Sequence, residues 1–265
     1  EEVELKSLKL EDALTSIEDS LEYSKLIQSS MLPPLSLLER NFQESFVFYQ
    51  PKDIVSGDFY WIHQTETATI FVVGDCTGHG VPGALLTMLG TSFLNEINAT
   101  DEFLSPAEIL DQLRDRFIKE LSQSGKEGAS MDGMDISLVQ LNLETKQVVW
   151  SGANNPVYIV SGGELREVQA DKQPIGYYAA MKPFTNHEFT LKSGQLLYMS
   201  SDGYPDQFGG EKGKKFMNKR FRQLLIDINS KAVEEQVDQL DAKLSEWRGE
   251  LEQVDDVLVI GFGIH

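Results

Sequence analysis

Cysteine occurs once in this chain, at Cys76, which excludes an intrachain disulfide and a cysteine-rich zinc site. Long apolar runs are missing too. No stretch reaches the ~18–20 residues that a membrane-spanning helix needs, and the acidic N-terminus is unlike a signal peptide. Basic residues are scarce: 23 Lys and Arg stand against 42 Asp and Glu, for a net charge of −19 and a pI near 4.5. Nucleic acid and anionic lipid are both recognised through clustered cations, so this balance argues against either partner. The expectation is a cytoplasmic protein in a reducing setting, without membrane insertion. The start at Glu1-Glu2, with no Met, points to a fragment of a longer protein.

What is present suits one large domain, or a domain with an appendage: 265 residues, of which 41% are apolar. Residues 1–31 read as one helix. Leu10, Leu14, Ile17, Leu21, Ser24 and Gln28 keep a 4-3-4-3-4 spacing with acidic residues at the outer positions. That spacing is an a/d seam that turns polar toward its end, compatible with a coiled-coil linker or with a helix packed on its own domain. Met31-Leu32-Pro33-Pro34 stops it, because Pro cannot continue a helix and disfavours helix just before itself. The remainder, 32–265, is expected to form one domain.

That remainder alternates short strands with helices. Strands are expected at Ser45–Tyr49, Phe59–His63 and Thr69–Val73, all rich in β-branched and aromatic residues. An apolar helix covers Pro82 to Ile97, and Ser105-Pro106-Ala107-Glu108 opens another with a capping box. After a loop at 122–133 comes a meander at Ile136–Leu143, Val148–Trp150, Val157–Val160 and Leu165–Val168, with Ser161-Gly162-Gly163 as a tight turn. Strands at His187–Leu191 and Leu196–Met199, helices near 217–228 and 231–249, and a wholly apolar strand Val257–Phe262 complete the chain. Many short strands joined by tight turns predict an α+β fold, two packed antiparallel sheets flanked by helices, rather than a doubly wound parallel sheet.

Four aspartate positions share one context. Asp58 begins a core strand, Asp75 and Asp202 end two others, and Asp255-Asp256 begins the last; Gly57, Gly74 and Gly203 stand beside three of them. Any one strand-end Asp would be read as a turn cap. Four gathered at one sheet rim repel one another unless hard divalent cations such as Mg²⁺ or Mn²⁺ sit between them. Two such ions activate a water and clamp a phosphate without a protein nucleophile.

Ser56-Gly57-Asp58-Phe59-Tyr60-Trp61 and Gly74-Asp75-Cys76-Thr77-Gly78-His79-Gly80-Val81-Pro82-Gly83-Ala84 resemble two signature blocks of the SpoIIE-type phosphatases. These are the bacterial branch of the metal-dependent PPM (type 2C-like) serine/threonine protein phosphatases. Ser200-Ser201-Asp202-Gly203, Asp255-Asp256 and Gln28–Pro34 are similar to three more, in the family's order over about residues 25–265. The resemblance implies an αββα sandwich with a dimetal site at one end. Asp58, Asp75, Asp202 and Asp255 match the metal-binding aspartates, Cys76 the residue that lends its backbone carbonyl, and Asp206 a position where some members hold a third, weaker ion. Asp132 or Asp135 would partner Asp206. Asp255 matches the ligand better than Asp256.

The resemblance further implies a phosphoprotein substrate, a small anti-sigma-factor antagonist in bacterial signalling. It also implies a sensor or receiver module joined through the N-terminal helix, which could pair with a second copy. Gly152-Ala153-Asn154-Asn155-Pro156 departs from the Gly-His-Asn-Pro of many relatives, so no histidine role carries over there. No phosphate-binding arginine can be assigned; Arg40 and Lys52 are the nearest upstream cations and read as surface charges.

Other features have plain readings. A cysteine phosphatase would need an arginine six residues after Cys76, where Pro82 stands. Residues 74–83 lack the Lys-Ser/Thr of nucleotide-binding loops. His79 reads as a turn histidine near the substrate path, Trp61 and Trp150 as core, and the basic segment 209–215 as a flap beside Asp202. Two other functions compete with phosphoprotein hydrolysis: a pseudophosphatase that binds a phosphoprotein without turnover, and a dimetal hydrolase of small phosphate esters.

Overall fold

The computed structural model describes residues 2–42, 44–65, 67–99, 104–126 and 128–264, without the side chains of 39–41. The first element, α1 (Glu2–Met31), is uninterrupted by Gly or Pro and ends just before Pro33-Pro34. Of its 30 residues only Gln28 is buried; Leu10, Leu14 and Ile17 of the expected seam face solvent. A short helix that periodicity could not register, α2 (Ser36–Asn41), follows. Its Leu38 enters the core between the sheets.

Two five-stranded antiparallel sheets form the sandwich. One is ordered β1 (Ser45–Gln50), β12 (Val257–Gly263), β9 (Leu196–Ser200), β6 (Val157–Ser161), β7 (Glu164–Val168). The other is ordered β2 (Asp58–Gln64), β3 (Ala68–Cys76), β4 (Met134–Asn142), β5 (Gln147–Ala153), β8 (His187–Thr190). The hairpin between β6 and β7 turns on Gly162 and Gly163, at φ 57° and 83°, the left-handed pair that a two-residue turn requires.

Outside the sheets lie α3 (Gly80–Ile97) and α4 (Pro106–Glu120) on one side, and α6 (Asn218–Ile228) and α7 (Val233–Arg248) on the other. The capping box at Ser105 and Glu108 is formed, with Ser105 N–H donating to Glu108 Oε2 at 2.8 Å. Three apolar layers separate these four. Phe59, Trp61 and Val72 meet Leu94, Leu110 and Phe117 under α3 and α4. Phe71, Val73 and Val139 meet Leu197, Met199 and Leu258 between the sheets. Tyr198, Val257 and Val259 meet Phe221, Leu225 and Leu240 under α6 and α7. Alternate residues of β12 therefore serve two layers, which is why its sequence is apolar throughout.

The basic segment 209–215 is not a free flap. After the single turn α5 (Gly203–Asp206) it forms a hairpin, β10 (Phe208–Gly209) with β11 (Lys214–Lys215). Gly210 N–H donates to Trp247 O at 2.7 Å, and Lys215 pairs with Asp206 at 2.6 Å. Among the described residues no helix is long and apolar enough to cross a membrane.

Candidate active site

Strand pairing sets the first row of carboxylates. Asp58 on β2 stands opposite Asp75 on β3, and Asp75 stands opposite Asp135 on β4. Directly opposed residues of antiparallel strands point to the same face with Cα atoms about 4.5–5.5 Å apart. The second sheet supplies the rest. Asp202 leaves the end of β9 and Asp255 approaches the start of β12, two strands joined there by Ser201 N–H to Leu258 O and Leu258 N–H to Ser201 Oγ, both 3.0 Å. Asp202 N–H reaches Asp75 Oδ2 at 3.5 Å and bridges the sheets. The cleft between them, about 280 Å³, is lined by Asp75, Cys76, Gly78, Asp135, Asp202 and Asp255 among others.

The two glycine-rich blocks dock on each other to build this wall. A Cβ on Gly57 would stand 2.4 Å from Gly78 O, and one on Gly83 would stand 2.3 Å from Gly78 O and 2.8 Å from the Gly57 Cα. Only bare backbone allows that approach. Asp256 clasps the same loop: its Oδ1 accepts from Lys52 N–H and its Oδ2 from Gly57 N–H, each at 2.7 Å. Both Asp256 oxygens face backbone donors, and Asp255 faces the cleft. The polar end of the α1 seam reaches this loop too, since Gln28 Nε2 donates to Ser56 O at 2.6 Å and Ser56 N–H donates to Gln28 Oε1 at 3.0 Å.

The carboxylates are held in mutual conflict. Burial, then Asp75, pushes Asp58 well above the usual carboxylate range, and its buried Oδ2 has no hydrogen-bond partner. Burial, then Asp202 and Asp135, pushes Asp75 up. Asp202, at the mouth, is raised to about 6 by withdrawal from water and by Asp206, Asp255 and Asp135. Burial also raises Asp135, against the Asn154 Nδ2 donor at 2.7 Å. Such a set lacks positive charge.

Hard divalent cations fit that need in donor type: aspartate oxygens, a backbone carbonyl at Cys76 and an orphaned buried oxygen on Asp58. Among the described residues no three His, Cys, Asp or Glu side chains already close into a metal cage. Asp206, the expected third-ion position, is paired with Lys215. Cys76 is buried and its thiol is pushed up by burial, so it makes no thiolate nucleophile.

The sequence profile of Stage II sporulation protein E (SpoIIE) matches residues 65–265. The chain belongs to the SpoIIE family of PPM phosphatase domains. It is similar to the SiaA-PP2C domain of Pseudomonas aeruginosa, at 32% identity over 96% of this chain and 98% of that one, with a TM-score of 0.86. The fold is shared with the PP2C phosphatase domain and regulatory fragment of SpoIIE from Bacillus subtilis, at 19% identity and TM-score 0.66. It is shared too with the RsbU and RsbW domains of a Mycobacterium tuberculosis protein, at 19% and 0.64. This chain spans 83% of itself in both cases, and 62% and 60% of those longer chains. Among curated proteins no sequence matches. SpoIIE-family phosphatases are metal-dependent, in keeping with the all-oxygen donors gathered here.

Sequence reasoning left three parts of this SpoIIE-family site undefined. Asp135 carries the same signal as the others, a carboxylate at a strand start, but its nearest glycine, Gly133, lies two residues away. The clasp by Asp256 has no local signature, because its partners lie 204 and 199 residues upstream. Lys52 and His79 do not stand as separate surface groups: Lys52 Nζ lies 2.9 Å from His79 Nε2. The Arg40 side chain falls outside the described residues. Trp61 and Trp150 are core, donating to Asn95 and Ser137.

Proposed function

We propose that this chain removes phosphate from phosphoserine or phosphothreonine of a protein by attack of water. The observation that carries the reading is the convergence of Asp75, Asp135, Asp202 and Asp255, from both sheets, on one cleft, with Asp58 paired opposite Asp75 and carrying an unpartnered buried oxygen. Asp58, Asp75, Asp202, Asp255 and the Cys76 carbonyl would hold two Mn²⁺ or Mg²⁺ ions. When bound, these supply a water activated at neutral pH and neutralise the phosphate. The chain does the rest. Asp256 and the bare backbone of Gly57 and Gly83 hold the loop that carries Asp58, and Asn154 orients Asp135. Water adds to phosphorus as the P–O bond to the seryl oxygen breaks, and that oxygen takes up a proton.

The substrate under this reading is a small phosphorylated anti-sigma-factor antagonist, a class supported by the fold shared with RsbU and RsbW domains. The exposed Leu10, Leu14 and Ile17 would pair α1 with a second copy or join it to a sensor or receiver module. Gln28 would carry that input to the Asp58 loop. The second reading is phosphoprotein binding without turnover.

Phosphate release from a phosphoserine peptide, measured with Mn²⁺, with EDTA and with Asp202→Asn, tests the proposal. Release that needs Mn²⁺ and falls at least ~100-fold in the variant supports it. Turnover in EDTA, or full activity in the variant, overturns it; tight phosphopeptide binding without release favours the second reading.

A further inference from the structure

A free phosphoserine and a phosphorylated protein present the same dianion to the cleft. What separates them is the chain on either side of the phosphorylated residue, so a preference for protein has to be built into the cleft's rim. Most of this rim is unsuited to that task. Its carboxylates repel one another and any acidic side chain beside the phosphate, and Gly78, Gly133 and Gly176 offer no side chain at all.

Met131 is different. It lines the cleft with 64% of its surface exposed, although methionine is among the residues most often buried. A single exposed apolar residue elsewhere on the surface would need no explanation. This one stands on a cleft wall, on a loop that its neighbours fasten. Thr77 N–H and Oγ1 both donate to Gly133 O, at 2.9 and 3.2 Å, and Gly133 N–H donates back to Thr77 Oγ1 at 3.0 Å. The buried Gln123 donates to Asp132 O and accepts from Tyr177 N–H at 2.7 Å.

The second loop of this wall is bound as closely. Met134 and Ile175 exchange backbone hydrogen bonds of 3.0 and 2.8 Å, and a Cβ on Gly133 would stand 2.4 Å from Ile175 O. Pro174, half-buried beside Ile175, adds a second apolar surface to the wall. The backbone beneath Met131 is therefore fixed, while its unbranched thioether can still adapt. A rigid seat with a pliable apolar tip suits a polypeptide whose sequence varies around the phosphorylated residue.

We propose that Met131, with Pro174, holds the polypeptide that flanks the phosphorylated residue and gives the site a preference for protein over small phosphate esters. The proposal rests on the hydrolase reading above and names what selects its substrate class. Phosphate release in Mn²⁺ is measured for a phosphoserine peptide and for free O-phosphoserine. Wild-type protein should favour the peptide in kcat/KM. Met131→Ser should raise KM for the peptide about fivefold, as loss of roughly half a buried methionine side chain does, with kcat nearly unchanged. The same variant should leave O-phosphoserine kinetics as they are. Met131→Leu, which keeps the apolar volume, should restore most of the preference.

No preference for the peptide by the wild type, an equal loss on both substrates, a loss confined to kcat, or an unchanged KM in Met131→Ser would overturn the proposal. Urea unfolding should give both variants the wild-type midpoint, because an exposed side chain contributes little to the fold. Absence of phosphate release by the wild type from either substrate would refute the hydrolase reading instead. Fluorescence anisotropy with a labelled phosphoserine peptide then decides Met131: weaker binding by Met131→Ser supports the proposal, and unchanged binding overturns it.

Discussion

Replacing Gln28 with Ala should cost this protein more stability than any other single change in α1. The carboxamide is 5% exposed and meets Ser56, itself fully buried, with two hydrogen bonds of 2.6 and 3.0 Å. Each such bond contributes about 1 kcal/mol net, and a buried donor left alone costs about 1–3 kcal/mol. The two ends of Ser56 differ after the change. Ser56 O still accepts from Thr87 Oγ1 at 3.3 Å, whereas among the described residues Ser56 N–H has no partner besides Gln28. The sum is about 2–3 kcal/mol, equivalent to a fall in Tm of roughly 4–10 °C for a chain of this size. Glu18→Ala, on the exposed length of the same helix, should stay within about 0.5 kcal/mol. Urea unfolding of both variants beside the wild type measures the difference. If Gln28→Ala also stays within about 0.5 kcal/mol, the docking of α1 on the Asp58 loop is not what the geometry says it is.

Two further outcomes follow from the same site. Without divalent cations, Asp58, Asp75 and Asp202 hold protons more tightly when folded than when unfolded, so stability should fall as pH rises above about 4 and through the Asp202 value of about 6. Calorimetry in EDTA should show a Tm several degrees lower at pH 7 than near pH 5. Mn²⁺ should recover that loss, and a flat profile in EDTA would contradict the burial of these groups. Gly83→Ala forces a methyl against backbone at Gly78 and Gly57 and should cost about 1–3 kcal/mol together with phosphatase activity; denaturant midpoints no lower than the wild type's would refute the close approach.

The fold was readable because its signals are local. β12 announces burial on both faces by being apolar at every position, and Ser105 with Glu108 writes a helix start into four residues. The seam of α1 was readable as a period but not as an environment: its apolar positions lie in solvent, and the polar Gln28 is the one that is buried. Short elements escaped for a physical reason. Six residues in α2 and two in each of β10 and β11 complete too few periods to be seen. In the site, Asp58, Asp75, Asp202 and Asp255 were marked by their strand ends. Asp256, Lys52 and His79 meet partners 26 to 204 residues distant, which no local window along the chain brings together.

The register of β2, β3 and β4 also makes the row of Asp58, Asp75 and Asp135 a property of the main chain. Its repeat is the interstrand distance of about 4.8 Å, which no side-chain substitution in the core can stretch. Mutation can resize the apolar layers and redraw the loops while the carboxylate ruler keeps its scale. A one-residue slip of β3, by contrast, would turn Asp75 to the opposite face and bring Gly74 into its place. The site should therefore tolerate drift in composition far better than a single insertion within Ala68–Cys76.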